Sequence, residues 1–303
     1  MTVFRLGTRG SPLALVQAAM VRDALCAAHG WTPEAVETVV IRTTGDRVQD
    51  RALAEIGGKA LWTKELDRAL LAGEVDACVH SMKDVETVRP DAIAIAAMLP
   101  RADVRDRLIG ARSIGELTEG AVVGTSSPRR RAQLLRLRPD LRIVLFRGNV
   151  DTRLAKLAAG EVDATLLAAA GLDRLGRDDV GAAIEPDVML PAPAQGAVGI
   201  EVRAADGEAL RTVAAIGDVM TGRCVNAERG LLAALRADCH SPVAALAREH
   251  DGGLRLMAEL LDEDGTAHVT GSVTGKVDDP LGPALAADLL ARAPTSVRAR
   301  FGG

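Results

Sequence analysis

A lysine and an aspartate stand side by side at the end of a short apolar run. The run Ala77-Cys78-Val79-His80-Ser81-Met82-Lys83-Asp84-Val85 begins as an alternating, β-prone segment and becomes polar towards its C-terminal end. Alternation through the whole run assigns Asp84 and Lys83 to opposite faces of a strand. Ligands bind beyond the carboxyl ends of strands in open α/β sheets, so the pair is predicted to lie at the mouth of a cleft. The alternative is a strand end with two solvated charges.

A second group of candidate side chains is basic. Between Thr125 and Arg153 the sequence has eight arginines and two aspartates, whereas the whole chain has a net charge of −4. The planar guanidinium group suits carboxylates and phosphates, so this stretch is predicted to bind a ligand with several negative groups. A solvated basic face is the alternative for any single arginine. Because Phe146 is the one aromatic residue in this stretch, stacking on bases is not supported and we expect no nucleic-acid partner.

The third candidate is a cysteine. None of Cys26, Cys78, Cys224 and Cys239 has CxxC spacing, so we expect neither a metal site nor a redox pair. Cys239 lies in the turn-prone stretch Ala237-Asp238-Cys239-His240-Ser241-Pro242 and is predicted to be more exposed than an ordinary buried cysteine. The adjacent His240 cannot easily reach the same reaction centre, which disfavours a Cys–His hydrolase.

The elements that must position these residues repeat along the chain. Residues 3–6 form a short predicted strand that leads through Gly7-Thr8-Arg9-Gly10-Ser11-Pro12 into a helix, and residues 121–128 repeat this order of strand, Gly-Thr, Ser-Pro and helix. The stretch Ala-Gly-Glu-Val-Asp-Ala occurs at 72–77 and again at 159–164. These repeats predict two lobes of similar α/β build. Each lobe then offers a ligand the N-terminus of a helix, which favours anions.

Two proline-containing breaks and a change of pattern divide the chain. The breaks lie at 99–101 and 191–196, and residues 197–202 are a strand predicted to return to the first lobe. From residue 221 the pattern indicates a helix, three strands joined by tight turns, and a final helix. These elements are predicted at 221–236, 243–249, 254–261, 266–273 and 282–292. The predicted domains are 1–99 with 197–217 for the first, 100–196 for the second and 218–303 for the third.

The composition is that of a globular protein with aliphatic cores. The chain is 48% hydrophobic, 26% charged and 2% aromatic, and it has no tyrosine. Its first residues lack a signal-peptide pattern, and no apolar run approaches the length of a membrane span. We therefore expect a cytoplasmic protein with reduced thiols and no membrane partner.

Together these motifs resemble the porphobilinogen deaminases, also called hydroxymethylbilane synthases, nearly from end to end. The resemblance is carried by Gly7-Thr8-Arg9-Gly10-Ser11-Pro12-Leu13-Ala14-Leu15, Gly57-Gly58-Lys59, Val79-His80-Ser81-Met82-Lys83-Asp84, Gly124-Thr125-Ser126-Ser127, Arg129-Arg130, Arg147-Gly148-Asn149-Val150, Thr152-Arg153-Leu154, Ala170-Gly171-Leu172, Arg174-Leu175-Gly176 and Gln195-Gly196-Ala197. Pattern and resemblance together predict an α/β protein with two lobes like those of periplasmic binding proteins. A small C-terminal α+β domain with an antiparallel three-stranded sheet is predicted to follow.

The resemblance also implies an activity. Members of this family join four porphobilinogen molecules head to tail, lose one ammonia at each addition and release a linear tetrapyrrole. A dipyrromethane cofactor, bound to a cysteine by a thioether, primes the chain and stays on the protein. Cys239 matches that cysteine, and Asp84 matches the catalytic carboxylate. The positions that match cofactor-binding residues are Ser81, Lys83, Thr125, Ser126, Ser127, Arg129, Arg130, Arg147, Gly148 and Arg153. The positions that match substrate-binding residues are Arg9, Ser11, Lys59, Arg174, Gln195 and Gly196.

The chemistry of such a reaction agrees with the charges in the sequence. Each pyrrole ring carries an acetate and a propionate, so the growing chain is a polyanion that arginines would hold. Loss of ammonia leaves a positive charge that a single carboxylate can offset. We expect a monomer with porphobilinogen as its small-molecule partner. The alternative is a non-catalytic, two-lobed anion-binding protein, which would need neither Asp84 nor Cys239.

A few positions depart from the family pattern or remain open. Glu55 stands where many members have a basic residue, and Glu86 stands where proline is usual. Ala237-Asp238 precede the cysteine where Gly-Gly is common, which gives this loop less backbone freedom. Trp62 falls where the family often has an aromatic residue on a mobile segment, and a core position beside Leu61 is the equal alternative.

Overall fold

The computed structural model describes residues 3–42 and 63–301. The strands are β1 (Phe4–Arg9), β2 (Val36–Ile41), β3 (Ala77–Ser81), β4 (Ile93–Met98), β5 (Asp106–Ile109), β6 (Val122–Gly124), β7 (Arg142–Val144), β8 (Ala164–Ala168), β9 (Ala182–Ile184), β10 (Val198–Arg203), β11 (Val243–His250), β12 (Gly253–Leu261) and β13 (His268–Gly275). The helices are α1 (Pro12–His29), α2 (Lys64–Leu71), α3 (Pro128–Leu137), α4 (Val150–Ala158), α5 (Ala169–Arg174), α6 (Gly207–Ala214), α7 (Val219–Ala234), α8 (Leu281–Arg292) and α9 (Thr295–Arg298).

The chain divides into two compact units. Unit 1 consists of Met1–Ala102 and Gly196–Gly222, and unit 2 consists of Asp103–Gln195 and Arg223–Gly303. None of the helices in the described ranges is both long enough and apolar enough to cross a membrane.

Unit 1 is built on a five-stranded sheet with the order β2-β1-β3-β10-β4. The strands β2, β1 and β3 run parallel, and β10 pairs antiparallel with both β3 and β4. Leu6, Val79 and Ile200 of the sheet pack in one core with Val21 and Leu25 of α1. The predicted return of residues 197–202 to the first lobe is confirmed, because β10 lies inside this sheet.

The first sheet of unit 2 repeats that arrangement. Its order is β7-β6-β8-β5-β9, with β7, β6 and β8 parallel and β5 antiparallel to both β8 and β9. The helix before β3 and the helix before β8 are each followed by a glycine in the left-handed region, Gly73 with φ 71° and Gly160 with φ 76°. These glycines end the two helices as the repeated Ala-Gly-Glu-Val-Asp-Ala stretch predicts. The prediction of two similar α/β lobes is confirmed.

The C-terminal part of unit 2 contains the predicted antiparallel three-stranded sheet with its helices. Strands β11, β12 and β13 form an antiparallel sheet in that order, and α8 packs against β12 and β13. A Cβ atom on Gly282 of α8 would lie 2.3 Å from the backbone nitrogen of Leu231, so glycine allows α8 to approach α7 closely. The assignment of this part as a third domain stays a prediction.

The structure corrects the predicted bounds of several elements and adds others. β13 spans His268–Gly275 rather than 266–273, and α7 spans Val219–Ala234 rather than 221–236. β1 continues to Arg9 rather than ending at residue 6, because β2 pairs with it up to that point. β3 ends at Ser81, and Met82–Asp84 form a 3-10 turn, so the predicted alternation does not reach Asp84. β3 is a central strand with a neighbour on each side, and Ala77–His80 are all buried. The short helix α9 was not predicted.

Candidate functional site

The carboxyl edge of the parallel strands in unit 1 gathers the first group of predicted residues. β1 ends at Arg9 and β3 ends at Ser81, and both strands run in the same direction. Ser11 caps α1, because its side chain accepts a 3.3 Å hydrogen bond from the backbone N–H of Ala14. The amide of Gln17 donates a 2.8 Å hydrogen bond to the hydroxyl of Ser81. The first turns of α1 are therefore tied to the end of β3.

Asp84 is carried by the 3-10 turn that follows β3. The backbone N–H of Met82 donates to the carbonyl of Ala197 at 3.1 Å, and the N–H of Val85 donates to the carbonyl of Met82 at 3.3 Å. The side chain of Met82 is buried against Gly199 of β10, where a Cβ atom would lie 2.0 Å from the methionine sulfur. The turn is thus held by β10, and it presents Asp84 and Lys83 as half-buried residues.

A buried ionic network lies next to this turn. Glu201 of β10 is fully buried, and its carboxylate lies 3.1 Å from Nε2 of His80 and 2.8 Å from Nε of Arg89. Burial raises the pKa of Glu201, but the hydrogen bonds and charges of His80 and Arg89 outweigh burial and lower that pKa to about 2. Glu201 is therefore an ionised group inside the sheet.

Unit 2 brings the second group of predicted residues to the equivalent edge of its own sheet. Among the parallel strands of this sheet, β7 leads into the loop before α4, and β6 leads into the loop before α3. β8 leads directly into α5. Ser127 caps α3 by accepting a 3.4 Å hydrogen bond from the N–H of Arg130, and Asn149 caps α4 by accepting a 2.9 Å bond from the N–H of Thr152. Two capped helix N-termini follow neighbouring strands, and such termini favour anions.

Arg153 connects the two loops at this edge. Its Nε donates to the carbonyl of Gly148 at 3.0 Å, and one of its terminal nitrogens donates to the hydroxyl of Ser126 at 3.3 Å. Gly148 has φ 121°, and a Cβ atom there would lie 2.7 Å from the methyl group of Thr152. Glycine is required at this position both by the backbone conformation and by the space available. Thr125 accepts a 3.1 Å hydrogen bond from the N–H of Ser127, which closes the first of the loops.

Arg129 and Arg130, which are predicted to contact an anionic ligand, bind a carboxylate of the protein itself. Both are buried, at 3% and 6% exposure, and their guanidinium groups bind the two carboxylate oxygens of Asp106 at 2.8 and 2.7 Å. The side-chain amide of Gln195 donates to the same carboxylate at 2.9 Å. Burial alone would raise the pKa of Asp106, but Arg129 and Arg130 hold it well below its usual range. Asp106 is thus the counter-ion of the arginine pair.

The same arginines retain capacity for an anionic ligand. Among the described residues, the Nε atoms of Arg129 and Arg130 are buried and have no hydrogen-bond partner. Arg174, at the end of α5, is half buried, and burial lowers its pKa although the charge of Asp173 partly offsets this. The single carboxylate of Asp106 neutralises only one of the two guanidinium charges of Arg129 and Arg130. The positive charge that remains would attract a bound anion.

Cys239 lies in a closed turn between α7 and β11. The N–H of Ser241 donates to the carbonyl of Asp238 at 3.0 Å, which puts Cys239 and His240 at the two central positions of a β-turn. The Asp238 carboxylate accepts from the N–H of His240 at 2.9 Å, and the Ser241 hydroxyl accepts from the N–H of Asp238 at 3.1 Å. Cys239 is exposed, whereas Cys78 and Cys224 are buried. The predicted exposure of Cys239 is confirmed.

These residues fit a covalently held oligoanion. An exposed thiol can be alkylated without rearrangement of a core, whereas burial raises the pKa of the Cys78 thiol. Capped helix N-termini and guanidinium groups supply donors for carboxylates on the same unit as that thiol.

The predicted residues Lys59 and Trp62, and the departure at Glu55, lie outside the described residues.

Several residues of these networks were not predicted from the sequence. They are Gln17, Arg89, Asp106 and Glu201. Each owes its place to a partner far away in the chain, as when Arg89 pairs with Glu201 across 112 positions. A charged residue inside a mostly apolar strand is a local signal that could have identified Glu201 in β10.

Family models match the chain along most of its length. Residues 4–211 match the model described as "Porphobilinogen deaminase, dipyromethane cofactor binding domain". Residues 222–291 match the model described as "Porphobilinogen deaminase, C-terminal domain". The chain belongs to the porphobilinogen deaminase family. It is accordingly a transferase of tetrapyrrole biosynthesis with a dipyrromethane cofactor, and no finding favours the alternative of a non-catalytic anion-binding protein.

Individual relatives agree with the family models. The porphobilinogen deaminase of Sphingopyxis alaskensis is 58% identical and aligns over 98% of this chain and 96% of its own. The porphobilinogen deaminase of Paracoccus denitrificans is 52% identical over 96% of this chain and 94% of its own. Among solved structures, a periplasmic substrate-binding protein of an ABC transporter from Coxiella burnetii is 16% identical, with a TM-score of 0.42, over 72% of this chain and 94% of its own.

Proposed function

We propose that the chain is a hydroxymethylbilane synthase. It condenses four porphobilinogen molecules head to tail, releases one ammonia at each addition, and hydrolyses off the linear tetrapyrrole hydroxymethylbilane. The observation that carries this proposal is the exposed Cys239 in its closed turn, within a chain that matches the family models at residues 4–211 and 222–291. The cofactor, when bound, supplies the terminal pyrrole carbon on which the product grows.

Cys239 is the proposed attachment point. Its sulfur forms a bond to the methylene carbon of a pyrrole precursor, and the thiol proton departs with the ammonia or water that leaves that carbon. The product is a thioether, which is stable enough to persist through many turnovers. The turn that Asp238 and Ser241 close displays the thiol at a central position and limits its motion.

Unit 2 supplies the proposed anion sites for the cofactor and the growing chain. The N-terminal turns of α3 and α4 present Thr125, Ser126, Ser127 and Gly148 at the carboxyl edge of the sheet. The proposed guanidinium contacts come from Arg129, Arg130, Arg147, Arg153 and Arg174. The contacts with Asp106 support a second role for Arg129 and Arg130, since these two residues also hold the first turn of α3 on β5.

Unit 1 supplies the proposed reactive carboxylate. Asp84 hydrogen-bonds the pyrrole N–H groups and offsets the positive charge that develops as ammonia leaves the substrate. Arg9, Ser11, Ser81 and Lys83 lie at the same edge and are proposed to bind acidic side chains of substrate or cofactor. The remaining proposed contacts are Lys59, Gln195 and Gly196. We also propose three domains with the predicted bounds, a monomer and a cytoplasmic location.

The intact mass of the purified protein tests the proposal. We expect the polypeptide mass plus two linked pyrrole units, with peptide mapping placing them on the fragment that contains Cys239. Cys239→Ser should give a folded, inactive protein of bare polypeptide mass, because a hydroxyl is a far weaker nucleophile near neutral pH. Cys26→Ser is the matched control and should keep both adduct and activity. A fully active parent at its bare mass, or an adduct on another cysteine, would overturn the proposal.

A further inference from the structure

The segment that follows Asp84 contains a single arginine that is held on three sides. Arg89 lies between Asp84 and the start of β4, and its side chain is only 7% exposed. Its Nε and one terminal nitrogen bind the two oxygens of Glu201 at 2.8 and 2.9 Å. It also binds Asp67 of α2 at 2.5 Å and, through its other terminal nitrogen, Glu86. One cation thus joins the segment to a strand and to a helix.

The same carboxylate anchors the chain on the other side of Asp84. Nε2 of His80, near the end of β3, lies 3.1 Å from Glu201. Thr63 donates a 2.9 Å hydrogen bond to Glu86. The turn that carries Asp84 is therefore flanked by His80 before it and by Glu86 and Arg89 after it. His80 and Arg89 both bind Glu201 of β10, and Arg89 also binds Glu86.

Backbone hydrogen bonds and the buried side chain of Met82 fix the part of the turn that precedes Asp84, and the ionic contacts act on the part that follows it. Asp84 ends a single 3-10 turn, and no strand or longer helix begins until Ile93, within the range that the structure describes. A short turn leaves a carboxylate free to shift unless its flanks are fixed, and a displacement of about 1 Å in a reacting group costs about 100-fold in rate. The ionic contacts supply that restraint.

We propose that Arg89 is a positioning residue that holds the Asp84 turn in place through Glu86 and Glu201. The proposal rests on the function proposed above, because it assigns Asp84 the reactive carboxylate. Arg89 itself does not need to touch the substrate. Its effect is expected on the rate of the chemical step and not on cofactor attachment, which belongs to unit 2.

The test compares Arg89→Met, Arg89→Lys and Arg68→Met with the parent. Arg68 is the matched control, since it lies on α2 and pairs with Glu74 at the surface, with 63% and 50% of the two side chains exposed. For Arg89→Met we expect a fall of about 10- to 100-fold in kcat with KM changed less than about threefold. Arg89→Lys should recover part of the rate, and Arg68→Met should match the parent. Intact mass should show normal cofactor content in all of them.

A pH series separates positioning from a general loss of fold. Without Arg89, the carboxylates of Asp67, Glu86 and Glu201 face each other beside His80 and Cys78. Burial already raises the pKa of Asp67 against the opposing effect of Arg89, so loss of Arg89 raises that pKa further. As the pH falls, Asp67 takes up a proton and the repulsion within the cluster weakens. The ratio of kcat of Arg89→Met to that of the parent should therefore rise as the pH falls. Arg68→Met should show a flat ratio.

The outcomes are distinct. An active parent with unchanged kcat in Arg89→Met, an equal loss in Arg68→Met, or a ratio that does not vary with pH overturns the positioning role. A parent with no deaminase activity overturns the proposed function instead. If Arg89→Met fails to fold, Glu86→Gln tests the positioning role instead, because it weakens one contact of Arg89 at a partly exposed carboxylate. We expect this variant to lower kcat a few-fold with normal cofactor content.

Discussion

The two units use the same sheet topology to bury ionic networks of opposite composition. In unit 1, one arginine, Arg89, binds three carboxylates, those of Asp67, Glu86 and Glu201. In unit 2, one carboxylate, that of Asp106, binds two arginines, Arg129 and Arg130. The network of unit 2 lies at the edge where the parallel strands end, because Asp106 pairs with Ala168 at the end of β8. The network of unit 1 lies further back along the sheet, because Glu201 pairs with Cys78 of β3.

The difference shows how one fold supports two chemistries. A cluster with more carboxylates than arginines favours positive charge nearby, which suits a step that releases ammonia and leaves a cation. A cluster with more arginines than carboxylates favours anions, which suits the acetate and propionate groups of a pyrrole chain. The sheet supplies positions in both units, and the side chains at those positions decide which charge is stabilised.

The largest effect should come from the carboxylate of unit 1. Asp84→Asn keeps the size of the side chain and removes its charge, so we expect turnover to fall by about 10²–10⁴-fold, the usual scale for a positioned acid–base group. Thermal unfolding should be little changed and intact mass should still show the cofactor. Asp91→Asn, an exposed position before β4, is the control and should keep full turnover. Turnover of Asp84→Asn within a few-fold of the parent would remove the proposed distinction between the units.

The carboxylate of unit 2 should instead matter for stability. Asp106→Asn leaves two buried guanidinium groups without their counter-ion, and we expect a loss of about 3–5 kcal/mol in the free energy of unfolding. The pKa of Asp106 is depressed in the folded state, so its contribution is present above the unfolded pKa and is lost as the pH falls towards the folded one. The difference between parent and variant in urea unfolding should therefore narrow at low pH. A constant difference at all pH values would contradict the assignment of Asp106 as an ionised counter-ion.

The smallest effect should come from the aspartate beside the attachment point. Asp238→Ala removes one hydrogen bond from the turn that holds Cys239, a bond of about 1 kcal/mol, so attachment of the cofactor to apoprotein should slow by about fivefold. Intact mass over time follows the attachment, and it should reach a normal final cofactor content. Turnover of the loaded enzyme should also be normal in an activity assay. Asp278→Ala, at an exposed position between β13 and α8, is the control. Equal attachment rates in both variants would show that the turn does not position the thiol.

Local interactions allowed much of this protein to be predicted from its sequence. The caps Ser11 and Ser127, the glycines Gly73 and Gly160 and the turn around Cys239 each depend on a few neighbouring residues. Repeats of these signals in one order predicted two similar lobes, and the motifs predicted the family. Periodicity did not locate the end of β3, because a central strand is buried on both faces and its alternation carries no information.

Tertiary structure alone decided which charged groups meet. Asp106 binds Arg129 across 23 positions, and Arg89 binds Glu201 across 112. In the sequence, Arg129 and Arg130 belong to a basic run that is predicted to contact an anionic ligand. In the fold, β5 brings Asp106 beneath α3, and burial makes the pairing of these charges obligatory because an isolated charge is costly in a low-dielectric interior. The sequence determines the charges available to each unit, and long-range packing determines which of them remain for a ligand.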